Sequence, residues 1–434
     1  MIQVENQINI KRNKLIELFT KFKVPILYSG GSIVKALAQM VVGFVVAKFV
    51  TPADFGLWST INLALTYSLF LQSGLINGLN RELPYLFGKG EDEEALAMAG
   101  TVQTFTFGSA IVVILCGIPF MIFAPFENNK MIYGVLAILV MIILNYYQSY
   151  LFSTFRSKDS FLQLSKIQFI HAFVNVITLL FVIYFAYYGM VVKAVLVAFI
   201  YTLLLHFYRP IKVGFLWDKK AFIRLIKVGL PIFSLAYVEA IASTADRLWI
   251  IKYATITEVG LYSFGFYALS SFAIFPSSIA SYIYPKMTYN YGKTHDKLIM
   301  WHYVKKITWV LLLILIPLAV LGYFICPYLI DEFFPNYSSS ASVMQILLFA
   351  GAFSGAVIGV NALWSMKSWK YMIIYQLFFS VLLVVCPYIG IRVFENKLEG
   401  ISYGILLAHV INLISGVTLT YLATHTKSRE HYAG

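Results

Sequence analysis

Charged side chains that fall inside stretches otherwise apolar include Lys35, Glu239, Asp246 and Arg247. A charge held in a lipid-like interior costs several kcal/mol unless it is paired or watered, so such residues are candidates for function. An ammonium and a guanidinium attract phosphate, the guanidinium through two parallel hydrogen bonds. A carboxylate in the same setting can take up a proton or a small cation. Glu239 and Asp246 are seven residues apart, two turns of one helix, with Ser243 between them. That spacing puts them on one face, about 10 Å apart in depth. Gln39 lies one turn beyond Lys35. Lys35, Gln39 and Arg247 are therefore candidate substrate contacts, and Glu239 and Asp246 candidate coupling or gating groups. A static Lys35–Glu239 pair, with Asp246 and Arg247 near an interface, is the bland alternative.

These residues must be carried by helices that span a bilayer. The chain has 434 residues, of which 60% are apolar and only 12% charged. Its mean hydropathy is +0.77. Soluble domains carry about 25% charge, so a soluble enzyme, a disordered chain and a nucleic-acid binder are excluded. Twelve apolar runs suffice to cross a membrane, near 24–50, 55–79, 97–124, 131–153, 163–186, 190–208, 228–252, 259–285, 306–329, 341–364, 371–391 and 400–423. Backbone polar groups have no partners in lipid, so each run is a helix. Of the 33 Lys and Arg residues, 25 fall on the N-terminus, the even-numbered loops and the C-terminus. That bias places both termini in the cytoplasm. No cleavable signal is evident in the basic first 24 residues. Cys116, Cys326 and Cys386 share no metal-binding spacing and read as packing residues.

The chain also repeats itself. Thr51-Pro-Ala-Asp54-Phe-Gly56-Leu57-Trp58-Ser59 returns 204 residues later as Thr255-Ile-Thr-Glu258-Val-Gly260-Leu261-Tyr262-Ser263. The same offset pairs Lys48 with Lys252 and Lys35 with Glu239. An acidic residue followed by Gly suits a tight turn into a new helix. The expected architecture is all-α and integral to the membrane, with twelve transmembrane helices in two parallel-repeat lobes of six. Segment 1–24 is a cytoplasmic N-terminal stretch, 25–208 the first lobe and 209–227 a linker. The second lobe covers 228–423, and 424–434 is a cytoplasmic tail.

The basic N-terminus, the first span and Pro52-Ala53-Asp54-Phe55-Gly56-Leu57-Trp58-Ser59 resemble the Wzx-type polysaccharide flippases of the multidrug/oligosaccharidyl-lipid/polysaccharide (MOP) exporter superfamily. So do Asn80-Arg81-Glu82-Leu83-Pro84-Tyr85, Gly88-Lys89-Gly90, Gly260-Leu261-Tyr262-Ser263 and Phe334-Pro335-Asn336-Tyr337. The resemblance covers the whole chain in layout and is sharpest in the first 90 residues. It implies a V-shaped pair of lobes around a central cavity that Lys35 and Glu239 line. It implies transfer of a polyprenyl-(pyro)phosphate-linked oligosaccharide to the outer leaflet of the bacterial inner membrane, for O-antigen, capsule or exopolysaccharide. Membrane lipids, a polysaccharide polymerase and a chain-length regulator are the partners that follow, and nucleic acid is not one. No catalytic residue, metal site or cofactor is expected, and H+ or Na+ stays open as a coupling ion. Arg81 is a candidate at the inner mouth, although ordinary positive-inside anchoring explains it equally well.

Other residues carry weaker signals. His171 could titrate, but a hydrogen-bonded core histidine is commoner. Asn62, Asn145, Gln148, Asn175 and Asn361 could meet sugar hydroxyls or bond neighbouring helices. Gly351, Gly355 and Gly359 read as close packing. Glu91 to Glu94 read as a solvated helix start, and Lys48 and Lys252 as snorkelling cations. Gly292-Lys293-Thr294 lacks the earlier glycine of a phosphate loop, since position 287 is Met, so an ATPase is unsupported. The rival functions are a cation-coupled multidrug exporter, a polysaccharide polymerase and a lipid II flippase. Short outer loops disfavour the polymerase, and twelve spans are fewer than the lipid II flippases usually have.

Overall fold

The computed structural model describes residues 30–426 apart from 32 and 295, without the side chains of 278, 281, 282 and 285. Twelve membrane-crossing helices account for the described residues, which include no strand. Helix α1 covers 30–49. Helix α2 is in two pieces, Pro52–Ser68 and Leu75–Lys89. Asp92–Phe123 is α3, Asn129–Ser157 is α4 and Phe161–Ile177 begins α5. The stretch Leu179–Phe207 reverses at Ala186, whose φ is 46°, so its start continues α5 and 187–207 is α6. Helix α7 spans Lys219–Tyr253, α8 Ile256–Thr294 and α9 Lys297–Phe333. Pro335–Ser365 is α10, Trp369–Val393 is α11 and Lys397–His425 is α12. Among the described residues, nine helices are long and apolar enough to cross a bilayer by length and composition. Many large apolar side chains, among them Phe123, Tyr184 and Phe324, lie exposed on the outside of the bundle. In lipid this is the stable arrangement; the protein is a multi-pass membrane protein.

Local chemistry sets where the helices begin. Thr51, Asn128, Asp218, Asp296 and Asn396 each accept a backbone N–H of the helix they precede. The repeated T-x-x-[D/E] is a capping box in the second copy: Thr255 Oγ1 accepts from Glu258 N at 3.2 Å and Glu258 Oε2 accepts from Thr255 N at 2.8 Å. In the first copy Asp54 instead takes an ammonium, Lys130 of α4, at 2.7 Å. Glu91 to Glu94 sit at the start of α3 as expected.

The repeat's glycines do something the turn reading missed. Neither Gly56 nor Gly260 has a left-handed φ. They lie where α2 packs on α8, and each leaves room for a carbonyl of the other helix. A Cβ on Gly56 would lie 1.9 Å from Ile256 O, and one on Gly260 1.8 Å from Pro52 O. The two copies of the motif thus pack on each other, joining the lobes on the side away from the termini. Around them Phe44, Phe55, Phe264, Tyr267, Phe334 and Tyr337 form an aromatic cluster, three of its rings buried and three partly so. Tyr337, fully buried, donates to Val50 O at 2.9 Å across the joint.

On the side of the termini the lobes meet differently. Helix α2 breaks at Ser73 and Gly74, both left-handed, and its second half lies against α7. A Cβ on Gly229 would sit 2.0 Å from Gly74 O, and one on Gly78 2.4 Å from Leu225 O. Beyond this contact Arg224 of α7 bonds Glu82 of α2 at 2.6 Å and Glu94 of α3 at 2.6 Å. Glu82 is buried, so the guanidinium is what balances its charge. Tyr67 and Tyr237 fill the level between the joints: Tyr67 Oη and Thr244 Oγ1 are 2.8 Å apart, and Tyr237 donates to Tyr67 O at 2.8 Å. Gly351, Gly355 and Gly359 of α10 bear on α8 and α9, as their spacing suggested.

Two tests separate these joints from ordinary helix packing. Gly260→Ala forces the backbone of Pro52 away and should cost about 1–3 kcal/mol, read as a lower unfolding midpoint in detergent. Gly88→Ala, with nothing within 4 Å of its Cβ, should not lower it; equal midpoints would refute the contact. A double-mutant cycle on Arg224 and Glu82 should give a coupling of about 1 kcal/mol that shrinks in 1 M salt, because Arg224 is partly solvated. Additive single variants would deny the pair any energetic role.

Candidate functional site

A cavity of about 310 Å³ opens within the first six helices. Its wall comprises Lys35 of α1, Ile76 of α2, Asn145, Gln148, Ser149, Phe152 and Arg156 of α4, and Tyr201 of α6. Helix periodicity explains the α4 side: residues 145, 148, 149, 152 and 156 recur at three and four and so form one polar stripe. The Lys35 ammonium stands 4.4 Å from the centre of the Tyr201 ring, a cation–π contact. Arg156, at the end of the stripe nearer the termini, is exposed and lies 5.5 Å from the Phe152 ring. Neither Lys35 nor Arg156 forms an ion pair with a described residue. Gln148 donates to Ala198 O at 3.0 Å and Thr202 Oγ1 at 2.8 Å, which fixes its amide and turns the carbonyl oxygen free of those bonds. Asn145 and Ser149 complete a wall with two cations, several hydroxyl and amide groups, and an aromatic face. Such a wall can hold an anion flanked by a polar, hydroxyl-rich group.

The carboxylates are in the other half. Glu239 of α7 accepts a hydrogen bond from Gln376 of α11. Lys35 and Glu239 thus do not pair here; each has found a neutral partner in its own lobe. Helix α7 is interrupted at Ser243 and Thr244, which separate Lys219–Ala242 from Ala245–Tyr253. The shared face expected for Glu239 and Asp246 is therefore broken, a correction caused by the kink. Asp246, only 1% exposed, accepts from Tyr262 Oη at 2.7 Å and from Arg247 N at 2.7 Å. The Arg247 guanidinium lies 4.5 Å from the Phe266 ring of α8. Gln39 and Arg81 are exposed. Gln39, Arg81 and Arg247 do not line the Lys35 cavity.

Several residues of this region escaped the sequence reading. Nothing in the sequence singled out Arg156, and Tyr201 was one of 30 tyrosines. Lys193 lies near the start of α6 and is buried, donating to Asn175 Oδ1 of α5 at 2.6 Å. A charge inside the apolar run at 190–208 was the available signal for it. Glu82, Arg224 and Gln376 gave none, because their roles need helices far apart in sequence. Lys48 and Lys252 are exposed, as snorkelling cations should be.

Comparison with known proteins follows this layout. Residues 45–342 match the family described as "Polysaccharide biosynthesis protein". No curated protein matches the sequence. Among solved structures, the chain is similar to the lipid II flippase MurJ in an inward closed conformation, with a TM-score of 0.69 and 16% identity over 92% of this chain and 88% of that one. It is similar to an inward-facing multidrug resistance MATE family transporter of the MOP superfamily, with a TM-score of 0.67 and 14% identity over 90% and 94%. The Vibrio cholerae MATE transporter VcmN, in its bent form, gives a TM-score of 0.59 and 14% identity over 93% and 96%. The family match spans well over half of the chain and the structural likeness nearly all of it: the chain belongs to the polysaccharide biosynthesis protein family, and its fold is that of the MATE transporters and the lipid II flippase MurJ.

Proposed function

We propose that this protein is a flippase that carries a polyprenyl-(pyro)phosphate-linked oligosaccharide from the cytoplasmic to the outer leaflet of a bacterial inner membrane. The observation that carries the reading is the cavity in which Lys35 and Arg156, neither ion-paired to a described residue, stand beside Asn145, Gln148, Ser149 and Tyr201. An acidic lipid headgroup supplies the missing counter-charge, the hydroxyl and amide groups suit sugar hydroxyls, and the aromatic face suits a sugar ring. Family membership supports a role in building a polysaccharide. The excess of Lys and Arg on the side of the termini supports placing that side in the cytoplasm, which is where Arg156 would first meet the headgroup.

Mechanistically, the polar head crosses through the bundle while the polyprenyl tail stays in lipid. The Arg224 joint and the Gly56–Gly260 joint would open in turn. Opening the first exchanges ion pairs for water and opening the second exposes an aromatic cluster. Glu239 would bind the coupling H+ or Na+, Gln376 being its partner when empty. Asp246 is the weaker coupling candidate because Tyr262 already holds it. Arg81 and Gln39 would act before or after the headgroup occupies the cavity. A polymerase and a chain-length regulator would use the product.

A cation-coupled multidrug exporter is the second reading, and the Glu239–Gln376 contact is what favours it. Both are tested in proteoliposomes holding purified protein. Labelled polyprenyl-pyrophosphate oligosaccharide should become accessible to an external glycosidase only when protein is present. Lys35→Ala and Arg156→Ala should each slow transfer at least about tenfold, the scale of one lost charge-assisted contact. Glu239→Ala should abolish it with folding intact. Unaltered transfer by the Lys35 and Glu239 variants would remove the site assignment. Dye export under a proton gradient, with no lipid transfer, would select the exporter.

A further inference from the structure

Basic residues are scarce on the side away from the termini, and half of them stand at one corner. Among the described residues, Lys48, Lys130, Lys193, Lys252, Arg392 and Lys397 lie near the helix ends on that side. Lys130 is ion-paired with Asp54, and Lys193 is buried against Asn175. The other four are exposed, and three of them gather where α7 and α11 end and α12 begins. Tyr253 is their common neighbour. The centre of its ring is 5.3 Å from the Lys252 ammonium and 4.7 Å from the Arg392 guanidinium. Arg392 also donates to Tyr253 Oη at 3.1 Å, and Lys397 donates to Tyr253 O. None of the three forms an ion pair with a described residue. Of the two carboxylates close by in the chain, Glu399 accepts from Asn396 and Glu395 is exposed.

An apolar groove of about 440 Å³ begins beside these cations. Its walls include Cys386, Ile389, Gly390 and Phe394 of α11 and Tyr403 and Leu407 of α12. Glycine makes its floor, because Gly390 and Gly404 let the two backbones touch. A Cβ on Gly390 would lie 1.9 Å from Gly400 O, and one on Gly404 2.4 Å from Cys386 O. The stacked rings of Phe394 and Tyr403, 5.2 Å apart, mark the end nearest the cations. From there the groove follows the helices toward the membrane centre for about two turns, or about 10 Å. Arg392 is three residues from Ile389, so it shares that face of α11 and borders the groove.

We propose that this corner binds an anionic glycerophospholipid of the leaflet on that side, its phosphate among Lys252, Arg392 and Lys397 and one acyl chain in the groove. Three cations around one tyrosine repel one another, and a phosphate offsets all three at once. The guanidinium suits that group through paired N–H donors, and the ammonium groups add point charge. The groove begins where a lipid's chain leaves its headgroup, so both ends of one molecule are met. The site stands apart from the Lys35 cavity, which lies in the first six helices. Its lining also lacks the amides and cations of that cavity, so it suits a plain acyl chain rather than a glycan. A lipid bound here would tie the last piece of α7, Ala245–Tyr253, to α11 and α12, beyond the break at Ser243 and Thr244.

The test is photo-crosslinking of the full-length protein in phosphatidylcholine vesicles that hold a small share of phosphatidylglycerol with a diazirine in its acyl chain. The probe is in both leaflets, so the direction of protein insertion does not matter. Labelled peptides are mapped by mass spectrometry. Labelling within 386–410 is divided by labelling around Leu313 of α9, an exposed apolar site that reports bulk lipid. On this ratio the phosphatidylglycerol probe should exceed a phosphatidylcholine probe of the same chain at least about fivefold, the scale of one basic residue at a lipid surface. Arg392→Gln and Lys397→Gln should each remove most of the preference, and Arg392→Lys should retain it. Lys48→Gln, exposed on the same side but outside the groove lining, should keep it in full. Excess dioctanoyl phosphatidylglycerol should compete the label away. Stronger competition by farnesyl phosphate would give the site to a prenyl carrier and overturn the phospholipid assignment. Equal labelling by the two headgroups, or a preference untouched in both glutamine variants, would overturn the site itself. None of these outcomes depends on oligosaccharide transfer, so the transport reading stands or falls separately.

Discussion

The contact on which the architecture depends is the one in which each repeat's glycine receives the other repeat's carbonyl. Helices in lipid gain nothing from hiding apolar surface, because lipid is as apolar as they are. They associate by close approach, and close approach needs small residues. Gly56 takes Ile256 O and Gly260 takes Pro52 O, so the contact is reciprocal about the axis that relates the two halves. Its neighbours follow from it. The caps at Thr51 and Thr255 start α2 and α8 at matching heights. The short approach also brings Phe44 and Tyr337 of opposite lobes into one aromatic cluster, and lets Tyr337 reach Val50.

The second joint uses the same device in a different setting. Gly74 and Gly78 meet Gly229 and Leu225, and the chain can turn there because Ser73 and Gly74 are left-handed. Helix α7, the partner, breaks at Ser243 and Thr244, where Tyr67 of α2 reaches it. A joint whose two helices are both interrupted can move without disrupting either helix throughout its length. Chemistry then distinguishes the ends. The far joint is aromatic and dry, so parting it exposes apolar surface. The near joint ends in Arg224, Glu82 and Glu94, where water can replace one charged partner with another at small net cost. That difference suits a protein whose cargo, on the proposed reading, has its polar end arriving from the near side.

Much of this was legible in the sequence because lipid imposes simple rules. Twelve apolar runs, the bias of basic residues and the repeat gave the helices, their number and the two-lobe plan. The motifs flagged as family-like, Pro52 to Ser59 and Phe334 to Tyr337, turned out to build the far joint rather than the cavity. The site was legible only in part. Lys35 was visible as a charge in an apolar run, but its companions Arg156 and Tyr201 come from α4 and α6, and nothing local marks which turn of those helices faces α1. Glu239 was visible, Gln376 was not. The Glu239–Asp246 spacing misled because a regular helix was assumed through Ser243, where the backbone departs from one. Sequence periodicity reports faces within an element; it does not report which elements meet, nor where a helix is interrupted by its surroundings.

What the repeat fails to preserve is as informative as what it keeps. Offset by 204 residues, the backbone contacts, the caps and the flanking Lys48 and Lys252 are retained, while Lys35 becomes Glu239. Two copies of one scaffold thus hold opposite charges at corresponding positions of the repeat, each with a neutral partner of its own: Tyr201 beside the ammonium, Gln376 beside the carboxylate. Had the pair been retained for cohesion, it would be expected to close across the lobes, since an ion pair in a low-dielectric setting is strong and an unpaired charge there is expensive. The lobes are in contact at both ends and the pair still stays apart. On the proposed reading the two charges are left available to ligands of opposite sign, an anion in the first half and a cation in the second. A symmetric frame carrying an asymmetric pair of sites is what a transporter needs if one ligand is cargo and the other drives its passage.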